Sequence, residues 1–301
     1  MRRLRAIFFG SADFAVPMLC ALASAHDVHA VYTQPDRPSG RGLKPSPTPV
    51  KRAAESLGLD VFTPELLDSA FVSLVSGLHP ELLACAAYGR ILPAEVLETA
   101  SLGALNAHPS LLPRYRGATP IQAALREGLT QTGVSIIWMS KQMDAGDIAL
   151  ARAVTIEGSD DFGSLHDRLA RVAAELALEA AGLLAAGTLP RAPQDDAQAT
   201  YVKPLQKADL RIDFGQSARA VVDQVRSLSP KPGAWMEFEG ARLKVLAARA
   251  EPARAGAEPE TLASANGDGP LVAAADGAVR LLRVVPSGRS PMSGAEFMRG
   301  R

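Results

Sequence analysis

Through its first half this chain alternates short apolar runs with helix-like segments, and that alternation restricts the fold more than any other feature. LRAIFF (4–9) is a short apolar run that stops at Gly10 and Ser11, the pattern of a buried strand. A helix-like segment follows over 13–25, with Asp13 placed to cap it. VHAVYT (28–33), LLACAA (82–87), GALNAH (103–108) and GVSIIWM (133–139) read as further strands. Segments 64–76, 93–100 and 119–127 read as helices between them. Alternating strands and helices imply a parallel sheet with helices on both faces. The active site of such a sheet lies beyond the carboxyl ends of its strands.

A long helix is expected over 159–186, capped by Ser159 or Asp160 and stopped by Gly187 and Pro190. The stretch 191–201 is polar with few apolar residues, as a linker is. These features divide the chain into a domain over 1–189, a linker over 190–202 and a second domain over 203–301. The second part has one helix-like stretch, 217–228. Four short strand candidates follow, GAWMEFEG, ARLKVLAA, GPLVAAAD and GAVRLLRVV, separated by turns such as Glu239-Gly240 and Asp276-Gly277. Several short strands in under 100 residues suggest a small barrel, an OB-like one being a candidate.

Charge is informative only by position. The 32 Lys plus Arg balance 32 Asp plus Glu, and zero net charge argues against a polyanionic partner. Residues 1–202 hold 17 basic against 21 acidic residues, and 203–301 hold 15 against 11. The zero is therefore a cancellation, and a nucleic-acid partner stays open. Within the first part, PDRPSGRGLKPSPTP (35–49) has five prolines and two glycines, which exclude a helix or a central strand. Over 36–52, Arg37, Arg41, Lys44, Lys51 and Arg52 face only Asp36, for a net +4. A long basic loop without structure is either a solvated surface loop or an arm that contacts phosphate.

Two cysteines, Cys20 and Cys85, lie in apolar runs without a CxxC partner and are expected to be buried and inert. The opening apolar run ends at Gly10, too short for a signal-peptide core. No apolar stretch reaches about 18 residues. A reducing cytoplasm is the expected location.

The densest polar constellation is Asn106-Ala107-His108-Pro109-Ser110, at the end of a predicted strand. Asn106 and His108 are two apart, so an extended chain points both to one face. An amide donor beside an imidazole suits a reaction that builds an oxyanion and moves a proton. A buried, hydrogen-bonded histidine in a turn fits the same pair. Met143-Asp144-Ala145-Gly146-Asp147 follows the strand over 133–139, and an Asp there could orient the histidine. It could equally stabilise a turn, or pair with Asp147 on a metal, for which two carboxylates are weak support. Ser110 beside His108 invites a serine-hydrolase reading, but there is no GxSxG elbow. Gly10-Ser11-Ala12 is neither GxGxxG nor a Walker A motif.

Together, NAHPSLLPRYRGATPIQAAL (106–125) and MDAGDI (143–148) resemble the formyltransferases that use 10-formyltetrahydrofolate. Within them the whole chain resembles the methionyl-tRNA formyltransferases, through LRAIFFGSADFA (4–15), TQPDRPSGRG (33–42), AYGRILP (87–93) and VVPSGRSPMSGAEFMRGR (284–301). Pro109 and Lys231 depart from that family's usual pattern. The resemblance implies a Rossmann-like, mostly parallel α/β domain followed by an OB-like barrel. It implies Asn106, His108 and Asp144 as catalytic residues, with Ser110, Leu111, Leu112 and Pro113 lining the site of the cosubstrate, 10-formyltetrahydrofolate. Arg37, Arg41 and Lys44 would contact methionyl-initiator tRNA, and no metal is required. The chain is expected to act as a monomer with no membrane partner. A formyltransferase for a small amine, an amino sugar or glycinamide ribonucleotide, shares the same site without needing the basic loop. A non-catalytic RNA-binding protein would leave the Asn106, His108, Asp144 set unexplained.

Overall fold

The structure, a computed structural model, describes residues 2–39, 44–252, 258–264 and 269–300. The chain divides into two compact units. The first comprises Met1–Gly117, Thr132–Val154 and His166–Tyr201; the second comprises Ala118–Gln131, Thr155–Leu165 and Val202–Arg301. Among the described residues no helix is long and apolar enough to cross a membrane.

In the first unit, β1 (Arg5–Gly10), α1 (Val16–Ala25) and β2 (Asp27–Tyr32) open the chain. A short ribbon follows, β3 (Arg37–Ser39) and β4 (Lys44–Ser46), then α2 (Pro49–Ser56), β5 (Val61–Phe62) and α3 (Ser69–Gly77). Next come β6 (Leu82–Ala86), α4 (Ala94–Leu97), β7 (Gly103–His108) and the two-residue β8 (Arg116–Gly117). Beyond α5 (Pro120–Arg126), which belongs to the second unit, lie β9 (Gln131–Trp138), β10 (Ile148–Thr155), α6 (Phe162–Ala185) and β11 (Tyr201–Val202), which pairs with β8.

Seven strands form one sheet in the order β10-β9-β7-β6-β1-β2-β5. The pairs β5/β2, β2/β1, β1/β6 and β6/β7 are parallel, and β7/β9 is antiparallel. The expected mostly parallel α/β sheet is therefore present. β1 lies inside it, between β6 and β2, and its residues from Ala6 to Gly10 are all buried, as a strand covered on both faces requires. The chain builds β2 and β5 on one side of β1, then crosses to build β6 and β7 on the other. That reversal puts a crevice at the carboxyl ends of β1 and β6, beside the end of β7.

Local chemistry moved several boundaries. Asp13 does not cap α1: it starts a 3-10 turn over Asp13–Ala15, and α1 begins without a side-chain cap, with Pro17 in its first turn. Cys20 is exposed rather than buried, because its position on α1 faces away from the sheet; Cys85 is buried as expected. The expected helix over 64–76 starts only at Ser69, where the Asp68 carboxylate accepts from Phe71 N at 3.1 Å. α6 is capped by Asp161, whose Oδ1 accepts from Ser164 N at 2.9 Å, not by Ser159 or Asp160. The segment expected to be without structure contains the antiparallel pair β3/β4, with Pro38 opposite Pro45. A two-stranded ribbon tolerates proline because an edge needs no amide donor at that position.

In the second unit, α7 (Ala218–Leu228) is capped by Ser217, which accepts from Ala220 N. β12 (Ala234–Phe238), β13 (Ala241–Pro252), β14 (Leu262–Ser264), β15 (Leu271–Ala273), β16 (Gly277–Pro286) and β17 (Met292–Ser293) form one antiparallel sheet in the order β12-β13-β16-β15-β14, with β17 on β16. Val221, Val225 and Leu228 of α7 pack with Met236, Val245 and Leu281 in its core. The chain closes this unit with α8 (Gly294–Arg299), held by a capping box between Ser293 and Glu296.

Across β13 and β16, Arg249 sits directly opposite Arg280. Glu251 reconciles these like charges, accepting from Arg280 at 2.9 and 3.1 Å and from Arg249 at 2.9 Å. Those hydrogen bonds, Arg280 first, hold its carboxyl down at about 2. A lowered folded-state value stabilises above the unfolded value of 4.5 and is lost as pH falls through about 2. Glu251→Gln is thus expected to melt below wild type at pH 6, with the gap closing between pH 4.5 and 2. A gap in Tm that stays constant over that range contradicts this.

Candidate active site

Asn106 and His108 are the fourth and sixth residues of β7, so both point to one face of the strand. Asn106 lies between Cys85 on β6 and Ile137 on β9; His108 ends the strand opposite Ser135. Asn106 is half-buried, and His108 is only 4% exposed. The His108 Nε2 lies 2.9 Å from the Tyr115 carbonyl oxygen. Its Nδ1 lies 3.5 Å from Asp144 Oδ2. Both ring nitrogens thus face oxygen acceptors, and only a ring protonated on both can donate to both. Of the residues the sequence singled out, the structure brings His108 and Asp144 together and places Asn106 two residues from His108 on the same face of β7.

Asp144 arrives from the loop between β9 and β10. That loop is pinned at both ends: Trp138 N donates to Asp147 O at 2.9 Å, and Met139 N donates to Ala104 O at 2.8 Å. Its turn is tight enough that a Cβ on Gly146 would sit 1.8 Å from the Trp138 carbonyl oxygen, so only glycine fits. Asp144 itself has φ 53°, in the left-handed region that aspartate tolerates better than most residues. Its Oδ2 also accepts from Gly117 N at 2.9 Å. Beside this loop lies a cleft of about 490 Å³ lined by Trp138, Met139, Lys141, Gln142, Asp147 and Arg191, among others. Arg191 stacks over the Trp138 ring at 4.0 Å.

The site's other neighbours are chemically quiet. Burial pushes the Cys85 thiol up to about 12, and the Asp144 charge adds to the effect, so it stays protonated. Ser110 is fully buried and its hydroxyl donates to Arg114 O at 2.6 Å, turned away from any nucleophilic role with His108. The Ser110 carbonyl accepts from Ser135 Oγ at 2.8 Å, and Leu112 N donates to the same hydroxyl at 3.1 Å. Leu112 is buried, while Leu111 and Pro113 are half-buried. Among the described residues no cluster of three or more His, Cys, Asp or Glu could hold a metal.

Of the basic residues singled out in the 35–49 segment, Arg37 is exposed on β3 and Lys44 opens β4. Arg41 lies outside the described residues. Sequence reasoning missed Tyr115, which accepts from His108. It also missed Arg116, Gly117 and Gln194, which surround Asp144. Arg116 is 2% exposed, and a buried arginine in a run of surface-like residues gave no sequence signal.

The sequence matches the family described as "Formyl transferase" over residues 3–181, and "Formyl transferase, C-terminal domain" over 204–301. A methionyl-tRNA formyltransferase from Paracoccus denitrificans is 44% identical, covering 99% of this chain and 97% of that one. One from Moorella thermoacetica is 42% identical over 99% and 96%. Among solved structures, a Helicobacter canadensis N-formyltransferase superposes with a TM-score of 0.70 at 15% identity, covering 92% of this chain and 99% of that one. HypX from Aquifex aeolicus in complex with tetrahydrofolic acid superposes at 0.67 with 19% identity, over 99% of this chain and 47% of that one. At those identities the two structures support the fold alone.

Proposed function

The chain belongs to the methionyl-tRNA formyltransferase family, and from that membership we infer that it moves the formyl group of 10-formyltetrahydrofolate onto the α-amine of methionyl-initiator tRNA. The observation that carries the mechanism is the His108–Asp144 pair at the end of β7, two residues from Asn106.

The reaction runs through a tetrahedral intermediate. An α-amine has a pKa of about 8, so a useful fraction is already neutral near pH 7. Its nitrogen forms a bond to the formyl carbon, and the formyl oxygen becomes an oxyanion. Asn106 and His108 donate to that oxygen. His108 exchanges its hydrogen bond to the Tyr115 carbonyl for one to the reacting atoms, since such contacts often tighten only in the substrate complex. The proton lost by the amine passes through His108 to N10 as the bond from N10 to the formyl carbon breaks. Asp144, with Oδ2 at 3.5 Å from Nδ1, holds the ring in orientation while the proton is in transit. Ser110 to Pro113 line the folate site.

In this reading 1–189 is the catalytic domain, 190–202 joins it to 203–301, and the antiparallel sheet of the latter is an OB-like barrel that contacts tRNA. Arg37, Arg41 and Lys44 grip the acceptor arm. The protein acts as a monomer in the cytoplasm. The test is an acceptor panel: 10-formyltetrahydrofolate with methionyl-tRNA, an amino sugar nucleotide or glycinamide ribonucleotide. Formyl on the tRNA alone is expected; formyl on a small amine alone overturns the assignment. Arg41→Ala is expected to raise KM for tRNA and to flatten its salt dependence by about one counterion, the share of one phosphate contact. A change confined to folate affinity contradicts the loop's assignment.

A further inference from the structure

Between Arg191 and Gln198 every residue is exposed except Gln194, which is half-buried. Its side-chain amide uses its whole bonding capacity. Nε2 donates to the carbonyl oxygen of Asp144 at 2.9 Å and to that of Gly146 at 2.7 Å. Oε1 accepts from Arg116 Nε at 3.1 Å and Nη2 at 2.9 Å. Two donors and two acceptor positions are all that glutamine has. Arg116 is in turn fixed by Asp196 Oδ1 at 2.7 Å and by the Tyr201 hydroxyl at 3.1 Å.

We propose that Gln194, backed by Arg116, is a positioning residue that fixes the backbone of residues 144–146 and thereby aims the Asp144 carboxylate at His108. The proposal rests on the reading of Asp144 as the partner of His108 in catalysis. β8 holds Asp144 from both ends. The Gly117 amide binds its carboxylate directly, and the neighbouring Arg116 binds its main chain through Gln194. A left-handed φ such as that of Asp144 persists only where the surroundings over-determine it. Gln194 supplies that constraint without touching the reacting atoms. Glutamate cannot reproduce it: a carboxylate keeps the pairing to Arg116 but has no proton for the two carbonyls. Asparagine is one methylene too short to span them.

The test is a double-mutant cycle read by turnover of the full-length protein on methionyl-tRNA. Gln194→Ala and Gln194→Glu are each expected to lower kcat by roughly 10- to 100-fold, the scale of a misplacement near 1 Å. KM for folate and for tRNA should stay within about twofold, as the residue contacts neither substrate in this account. In the Asp144→Ala background, Gln194→Ala is expected to add no further loss, because its effect runs through that carboxylate. Wild-type kcat in Gln194→Glu, or full additivity with Asp144→Ala, overturns the proposal while leaving the catalytic reading standing. Asp144→Ala turning over at the wild-type rate overturns the catalytic reading, and the proposal falls with it. Comparing Gln194→Glu with Gln194→Ala separates lost donation from lost packing, since the glutamate fills the same space.

Discussion

His108→Ala is expected to lower kcat for formylation by about 10² to 10⁴, the usual contribution of a general acid–base group. That range corresponds to about 2.7 to 5.4 kcal/mol of transition-state stabilisation. The position of the ring explains why the loss falls on turnover. His108 ends β7 almost fully buried, with nitrogens toward Tyr115 O and Asp144 Oδ2. Its removal deletes a donor to the developing oxyanion and the route for the proton leaving the amine. It leaves the basic residues proposed to contact tRNA in place, so KM for tRNA should change little. Asp144→Asn, which keeps the shape and an acceptor for Gly117 N, should lose less, because the ring retains an oriented partner without the charge. Near-normal kcat in His108→Ala would sink the assignment of this site.

The largest expected loss of stability comes from Phe9→Ala. Phe9, the fifth of the six residues of β1, is fully buried. Its ring stacks on Tyr32 at 5.2 Å and meets Tyr88 and Phe71 edge-on at 5.5 and 6.5 Å. Ile7, Leu83, Cys85 and Val96 complete the same core. Deleting a phenylalanine from such a cluster costs about 3–5 kcal/mol, lost transfer energy plus a cavity the sheet cannot collapse to fill. A urea midpoint for the first unit's transition should fall accordingly with an unchanged m-value. A loss below about 1 kcal/mol contradicts the packing described.

What could be read from the sequence follows from the range over which each signal acts. The central strands were legible because β1 and β6 are short, unbroken apolar runs, a local property. Asn106 and His108 were legible because the two-residue period of a strand needs no tertiary knowledge. Asp144 was reachable as the polar residue following a strand. Gln194 was not: it lies in a polar stretch that looks like a linker, and its role depends on a loop 50 residues earlier in the chain. The β3/β4 ribbon was missed because proline-rich segments lack strand propensity, though an edge ribbon does not need it. α2 could have been found from Thr48-Pro49, a cap followed by proline at the first helical position. Cys20 was misplaced because a helix turns its residues through every direction, and an apolar run does not say which side faces the sheet. Total charge misled for the same reason of averaging: the +4 of residues 36–52 and the +4 of 203–301 vanish in a sum.

The most direct test is a single turnover. Enzyme in excess, saturated with radiolabelled 10-formyltetrahydrofolate, is mixed with methionyl-initiator tRNA and quenched, for wild type and for the Asn106→Ala/His108→Ala double variant. The account predicts N-formylmethionyl-tRNA in the wild-type reaction, formed at least 10²-fold more slowly by the double variant, as loss of the proton carrier alone requires. Transfer at matching rates by both proteins, or no label on the tRNA from wild type, would contradict it.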